Sequence, residues 1–373
     1  MTTLREIVDL TADLIRIPSV HSRKAEIGRC AEFIVEWLSA RDIAFDRTSV
    51  NGTPVLTVLP NENRADILLM ADFDVVEADD DLFTPVEKDG RLYGRGAIDD
   101  KYAVALSLIL FRDHLERVRR DGGTQSDLPF GLLLTGDEEI GGANGAGPAS
   151  ESIHTDFFIA LDGGAPNKIV VKEKGVLRLK LTARGKAAHA ARPWLGESAF
   201  ENLVADYARL KEIFSDDAPD HWHKTMVLSR CEVGDGSTNK LPGFAEAILD
   251  IRFTETDDPD AILDSIRNAV AAEVALLIRE PLFLGGPSPY RDLLLEYANG
   301  AELTREHGSS DARFFSARGV PGVVWGAEGE MSQHTSDEHI LLDSLADLHG
   351  KMDGFLSAAG GECPNLAGRK ART

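Results

Sequence analysis

Apolar positions recur at helical spacing near the N-terminus. Ile7, Val8, Thr11, Leu14 and Ile15 form one stripe, and Ile27, Cys30, Ala31, Ile34, Val35 and Leu38 form a second, so two amphipathic helices are expected. Short apolar runs at 54–59, 67–73, 130–135 and 156–161 have the length and composition of buried strands, and a long helix is expected from about 101 to 119. This alternation predicts α/β architecture: a largely parallel central sheet flanked by helices. From about residue 172 the pattern changes. Strands at 176–183, 225–232 and 245–253 alternate with helices at 198–214 and 259–277, the order of a split βαβ unit, a ferredoxin-like α+β module. After Gly285-Gly286-Pro287 the earlier alternation resumes, with another buried strand at 320–325. The simplest organisation is a discontinuous domain over 1–172 and 285–373, with an inserted module over 173–284.

Composition narrows the class. At 373 residues, 43% hydrophobic and 27% charged, the chain has the make-up and length of a two-domain globular protein. No run approaches the roughly 20 apolar residues of a membrane span, and the chain enters its first amphipathic pattern without a signal-peptide core, so a cytoplasmic enzyme is expected. A net charge of −22 argues against nucleic acid or an anionic membrane as partner. Cys30, Cys231 and Cys363 are odd in number and far apart, and are expected to be free thiols. The end of the chain, with Gly360-Gly361 and the basic run at 368–372, reads as a frayed terminus.

Carboxylates collect where the expected strands stop. Asp72 and Asp74 end one strand, Asp99 and Asp100 precede a helix after a glycine turn, Asp137, Glu138 and Glu139 follow 130–135, and Asp162 follows 156–161. If these strands run parallel, the acids converge on one sheet edge, where ligands bind in open α/β sheets. So much like charge repels itself unless divalent cations are present. His334, beyond the last strand, adds an imidazole of the kind transition metals favour. Taken singly each feature has an ordinary explanation: a Glu-Glu pair on the surface, Asp before a helix as an N-cap, a histidine in a solvated loop. Their joint occurrence in order points to a metal centre.

The chain resembles peptidase family twenty of clan MH, the co-catalytic zinc metallopeptidases, which include aminoacylases, carboxypeptidases, dipeptidases, deacetylases and desuccinylases. The resemblance is carried by Ala71-Asp72-Phe73-Asp74-Val75-Val76, by Asp89 to Gly96 and on to Asp100-Lys101, and by Thr135-Gly136-Asp137-Glu138-Glu139. Further matches are Ala160-Leu161-Asp162-Gly163-Gly164, His189 before Arg192-Pro193, Ser310-Asp311-Ala312-Arg313-Phe314, and His334 to Glu338. It implies two divalent metal ions, zinc with manganese or cobalt as alternatives. Asp99 would bridge them, Glu139 and His334 would complete one site, and Asp162 would belong to the other. Glu138 would be the general base, taking a proton from water and passing it to the leaving amine, and Asp74 would orient a neighbouring ligand.

One position departs from the family pattern. Where the pattern has His-x-Asp, this chain has Asp72-Phe73-Asp74. Three accounts compete: Asp72 ligates in the histidine's place and makes the site more tolerant of hard cations such as manganese, the first site is weak or empty, or activity is lost. Retention of Glu138, Glu139, Asp99, Asp162 and His334 disfavours the last. Glu77 stands where the family commonly has proline, adding another acid.

The resemblance further implies that the inserted module is a lid and homodimerisation domain, from which His189 reaches a partner subunit's active site to stabilise the oxyanion. Asn239, in Thr238-Asn239-Lys240-Leu241-Pro242, resembles a second substrate-contacting position, and Arg313 would bind a substrate carboxylate by its planar fork. The expected substrate is a dipeptide, a C-terminal peptide or an N-acyl amino acid, with desuccinylase-type deacylation as the alternative. A catalytically silent relative that only binds a metabolite or metal is the alternative of a different class. The His221-Trp222-His223 cluster carries no motif and is expected in a solvated loop.

Overall fold

Arg64–Asp72 lies at the heart of a nine-stranded sheet because its run from Ile67 to Ala71 is apolar on both faces, which only a strand covered on both sides can bury. The computed structural model describes residues 3–214 and 219–360; Cys363 and the basic run at 368–372 lie outside the described residues. Phe130–Thr135 and His154–Ala160 flank Arg64–Asp72 in parallel, and Gly322–Val324 adds to His154–Ala160, also in parallel. Thr53–Val58 and Asp46–Val50 extend one edge antiparallel. The polar strand Asp46–Val50 has no apolar run to reveal it.

The helix Lys101–Arg120 packs against the central strand. Every residue from Lys101 to Phe111 is buried, so the first three turns of this helix are interior, whereas its last turns carry exposed Glu116, Arg119 and Arg120. Lys101 itself is enclosed: its Nζ donates to the carbonyls of Leu14 and Ile17, tying the end of the first helix, Thr3–Ile15, to the start of this one. Burial lowers its pKa to about 8.

A small antiparallel sheet of Val86–Lys88, Arg91–Tyr93 and His339–Leu341 has no counterpart in the sequence reading. It pairs His339 with Tyr93. The segments before Asp99 and after His334 are thereby joined.

The chain divides into two compact units. One comprises Met1–Lys172, Leu284–Glu306 and Ser310–Thr373; the other comprises Glu173–Phe283 and His307–Ser309. The second unit holds a four-stranded antiparallel sheet in the order Thr225–Val233, Phe244–Phe253, Gly175–Arg184, Glu273–Glu280. Phe244–Phe253 alternates strictly between buried and half-buried positions, as a sheet with one covered face requires. The covering helices include Ala199–Ile213.

The helix expected over 259–277 is corrected. It spans only Pro259–Ala269, and Glu273–Glu280 is a strand. The cause is tertiary: buried Asp206 accepts the main-chain amides of Ala271 and Ala272, which turns the chain and sends the next residues to the sheet edge. Helix propensity yields to that anchor. Among the described residues, no helix is long and apolar enough to cross a membrane.

Candidate metal centre

Strand register brings the first acids together. Asp72 stands opposite Thr135, and Met70 opposite Ala160, so the chain beyond each strand end continues into Gly136-Asp137-Glu138 and Asp162 at the same sheet edge. Asp72, Glu138, Asp162 and Asp311 line one cavity of about 10 Å³. That is room for a single water-sized occupant. Asp72 is 3% exposed, and its Oδ2 is buried without a hydrogen-bond partner. Burial first, then the charges of Asp100, Asp74, Glu138 and Asp162, raise the Asp72 pKa far above the carboxylate range. Burial followed by Asp162 and Asp311 does the same to Glu138.

A second cluster adjoins it in sequence. Asp99, Glu139 and His334 each place a ligand atom within 4.8 Å of the others. His334 Nε2 lies 3.0 Å from Asp99 Oδ2 and 3.2 Å from Glu139 Oε2. The hydrogen bonds to those two carboxylates raise the His334 pKa to about 10. Glu139 Oε1 accepts the main-chain amide of Val76, which fixes the other end of its carboxylate.

Glu338 holds the two loops of this cluster to one another. It is fully buried, pairs with Arg95, and accepts the amides of Gly96 at 2.8 Å and Ile98 at 3.4 Å, so the loop leading to Asp99 folds around its carboxylate. Burial pushes the Glu338 pKa up to about 7 even though Arg95 and these amides pull it down. Gly96 has φ +87°, and a Cβ there would meet the Lys101 side chain at 2.8 Å. Only glycine allows this turn.

Asp74, expected to orient a neighbouring ligand, is completely buried behind Glu138 and Glu139. Its Oδ1 accepts the amide of Glu138 and its Oδ2 the amide of Glu139, both at 3.1 Å. It thus grips the turn that carries the base candidate and a ligand candidate. His21 Nε2 completes the arrangement at 2.9 Å from Asp74 Oδ2, and this contact, ahead of burial, raises the His21 pKa. Sequence reasoning missed His21, since a lone histidine outside any motif gives no signal. It also passed over Asp311, which lies within a recognised motif but was overshadowed by Arg313.

Arg313 requires correction. It is 3% exposed, donating from Nη1 to the carbonyl of Ser310 and from Nη2 to that of Gly141, with Asp311 3.6 Å away. A guanidinium turned onto its own protein in this way braces the Asp311 segment against the loop after Glu139; it is not presented to a substrate carboxylate. The close approach depends on Gly142, where a Cβ would come within 2.0 Å of Asp311 Oδ1.

In the second unit, His189 and Asn239 lie side by side. Ala188–His189 pairs with Lys240–Leu241, and Ala190 donates its amide to the Asn239 carbonyl. Both candidate side chains are exposed. His189 Nδ1 accepts the Ala191 amide, which leaves the ring proton on Nε2. The His221-Trp222-His223 segment is a loop with His221 exposed and Trp222 and His223 half-buried, and it is anchored at several points. Lys174 Nζ donates to the carbonyls of His221 and His223, and Trp222 Nε1 donates to Glu255.

The donor sets fit divalent cations. A buried carboxylate oxygen without a donor, facing a cavity walled by other carboxylates, suits a hard cation; the mixed oxygen and imidazole cluster suits zinc. The model of Peptidase family M20/M25/M40 matches residues 68–356. Two succinyl-diaminopimelate desuccinylases, from Parvibaculum lavamentivorans and Rhodospirillum centenum, are 28% and 29% identical to this chain, covering 91% of it and 92% and 94% of their own lengths. In fold the chain is similar to an M20 family metallo-carboxypeptidase from Sulfolobus solfataricus, with a TM-score of 0.76 at 18% identity over 95% of this chain and 99% of that one. It is also similar to a dinuclear metal-binding peptidase from Bacillus subtilis, with a TM-score of 0.63 at 14% identity over 95% of this chain and 98% of that one.

Proposed function

The chain belongs to peptidase family M20/M25/M40, and from that premise we propose that it hydrolyses an amide bond of an N-acyl amino acid or short peptide, with Glu138 as general base between two sets of metal ligands. Asp72 and Asp162 form one set, Glu139 and His334 the other, with Asp99 shared. The observation that carries this reading is the position of Glu138: it lines the cavity of Asp72 and Asp162, while the next residue, Glu139, belongs to the cluster of Asp99 and His334.

When bound, divalent cations would supply Lewis acidity, polarising the scissile carbonyl carbon toward attack and making water more acidic. The chain's own residues do the rest. Glu138 accepts a proton from the attacking water as the water oxygen bonds to the carbonyl carbon. As the C–N bond breaks, the same carboxyl returns that proton to the leaving nitrogen. Zinc is the proposed ion at the imidazole cluster, and manganese or another hard cation at the oxygen-only cavity. The inserted unit is proposed as lid and dimerisation domain, and Nε2–H of His189 of the partner subunit as the oxyanion donor, with Asn239 beside it.

Because two desuccinylases match over more than nine-tenths of the chain, N-succinyl amino acids head the substrates to assay, followed by N-acetyl amino acids and dipeptides. Each is offered with zinc, manganese or cobalt. Hydrolysis by the wild type and a loss of about 10³-fold in Glu138→Gln, with metal content unchanged, is the expected result. Wild-type rates in that variant would overturn the base assignment. No hydrolysis by the wild type with any of these ions favours the silent-relative account.

A further inference from the structure

A short stretch that no motif marks lies directly behind the Glu138-Glu139 turn. Ser19 to His21 runs alongside Phe73 to Val75: Ser19 Oγ donates to the Phe73 carbonyl, the Val75 amide donates to the Ser19 carbonyl, and Val20 bridges in parallel to Val75. His21 then begins a single helical turn, His21–Arg23, and delivers Nε2–H to buried Asp74 Oδ2. An ionised carboxylate can only accept, which places the ring proton on Nε2.

The turn is itself clamped. Glu77 accepts the Ser22 amide on Oε1 at 2.9 Å and the Ser22 hydroxyl on Oε2 at 2.8 Å. The residue that departs from the family pattern at position 77 therefore engages the turn that presents His21. Around Asp74, the carboxylates of Asp137 and Glu139 also act on His21. The imidazole is the side-chain donor that meets Asp74 within this acidic surrounding.

We propose that His21 is a positioning residue of the metal centre, acting through Asp74 to fix the Glu138-Glu139 turn, and that Glu77 sets its aim through Ser22. The chain of contacts is explicit: Glu77 to Ser22, His21 to Asp74 Oδ2, and Asp74 to the amides of Glu138 and Glu139. Without the imidazole, Asp74 Oδ2 keeps only the Glu139 amide and can rotate toward whatever water enters. Glu139 then loses its fixed angle toward Asp99 and His334. Groups hydrogen-bonded directly to metal ligands typically govern metal affinity or activity by about 10- to 100-fold; Asp74 holds that place here, and His21, one bond further out, acts at the lower end of the range.

This rests on the reading of Glu139 as a metal ligand and Glu138 as base, so the test has a readout independent of turnover. Zinc is titrated calorimetrically into metal-stripped wild type, His21→Ala, His21→Gln and Glu77→Ala, alongside melting temperature and, where the wild type turns over, kcat and KM. His21→Ala is expected to weaken zinc binding about tenfold and lower kcat by a similar factor with KM within about twofold. His21→Gln, which retains an N–H donor, is expected to recover most of both, and Glu77→Ala to fall between. Zinc affinity within twofold of wild type in His21→Ala overturns the proposal. So does an equal loss in His21→Gln that tracks a fall in melting temperature, which marks packing alone. If the wild type binds zinc but hydrolyses nothing, the hydrolase reading fails while the isotherms still decide the role of His21. If the wild type takes up no zinc, both fall.

Discussion

Asp74 Oδ1 accepts the main-chain amide of Glu138 at 3.1 Å, so the direction of the base candidate is set by a buried carboxylate sixty-four residues earlier in the chain. Asp74→Asn keeps the shape but offers one acceptor oxygen where two amides and an imidazole now converge. An amide nitrogen facing the Glu139 N–H leaves a buried donor unsatisfied, at a cost of about 1–3 kcal/mol. We expect kcat to fall by about 10- to 100-fold. Unchanged kcat in steady-state assays would show that Asp74 does not hold the turn.

Asp72→His tests the oxygen-only cavity. Exchanging a carboxylate for an imidazole removes one negative charge and softens the donor set, so preference is expected to move from manganese toward zinc by about tenfold. Competition between the two ions, followed by elemental analysis after dialysis, reads this directly. Identical stoichiometry and preference in the variant would mean that Asp72 plays no part in choosing the ion.

The Arg95–Glu338 pair is enclosed, with side-chain exposures of 4% and 0%. Arg95→Met strands the Glu338 charge in the interior, and breaking a buried pair in this way costs about 3–5 kcal/mol. The urea midpoint is expected to drop accordingly, with loosened metal binding because the loop before Asp99 wraps around Glu338. A midpoint equal to wild type would show that the two amides suffice without Arg95.

His114 provides a pH signature remote from the centre. Burial, reinforced by Arg117, lowers its pKa although Asp353 lies 3.0 Å from Nε2. The folded state thus disfavours the charged ring. Below the unfolded value of about 6.5 the unfolded chain binds the proton first, so this residue's contribution is present at neutral pH and lost as pH falls. The stability difference between wild type and His114→Gln is expected to shrink from pH 7 to pH 5, by at most about 1.4 kcal/mol per pH unit. A difference that stays constant with pH would show that folding does not lower the His114 pKa.

The alternation of apolar runs was enough to predict the α/β sheet and a split βαβ order, because burial on one or both faces leaves a period in the chain itself. The helix at 259–277 failed for a reason outside that period: Asp206 reaches across the unit to cap Ala271 and Ala272. The strand Asp46–Val50 and the small sheet holding His339 against Tyr93 were similarly invisible, being short or polar and stabilised by partners distant in sequence.

At the candidate centre, residue types and order made Asp72, Asp99, Glu138, Glu139, Asp162 and His334 conspicuous, since carboxylates at successive strand exits are readable wherever strands are. Three-dimensional packing decided which atoms meet. Parallel register put Asp72, Glu138 and Asp162 on one cavity, and the folding of distant loops around Glu338 brought the segments of Asp99 and His334 together. It also turned Arg313 inward and recruited His21 to Asp74. Sequence alone determined the chemistry on offer, because donor type is intrinsic to a side chain. Orientation and hydrogen-bond partnership depend on contacts between residues far apart in the chain, and only the tertiary structure decided them.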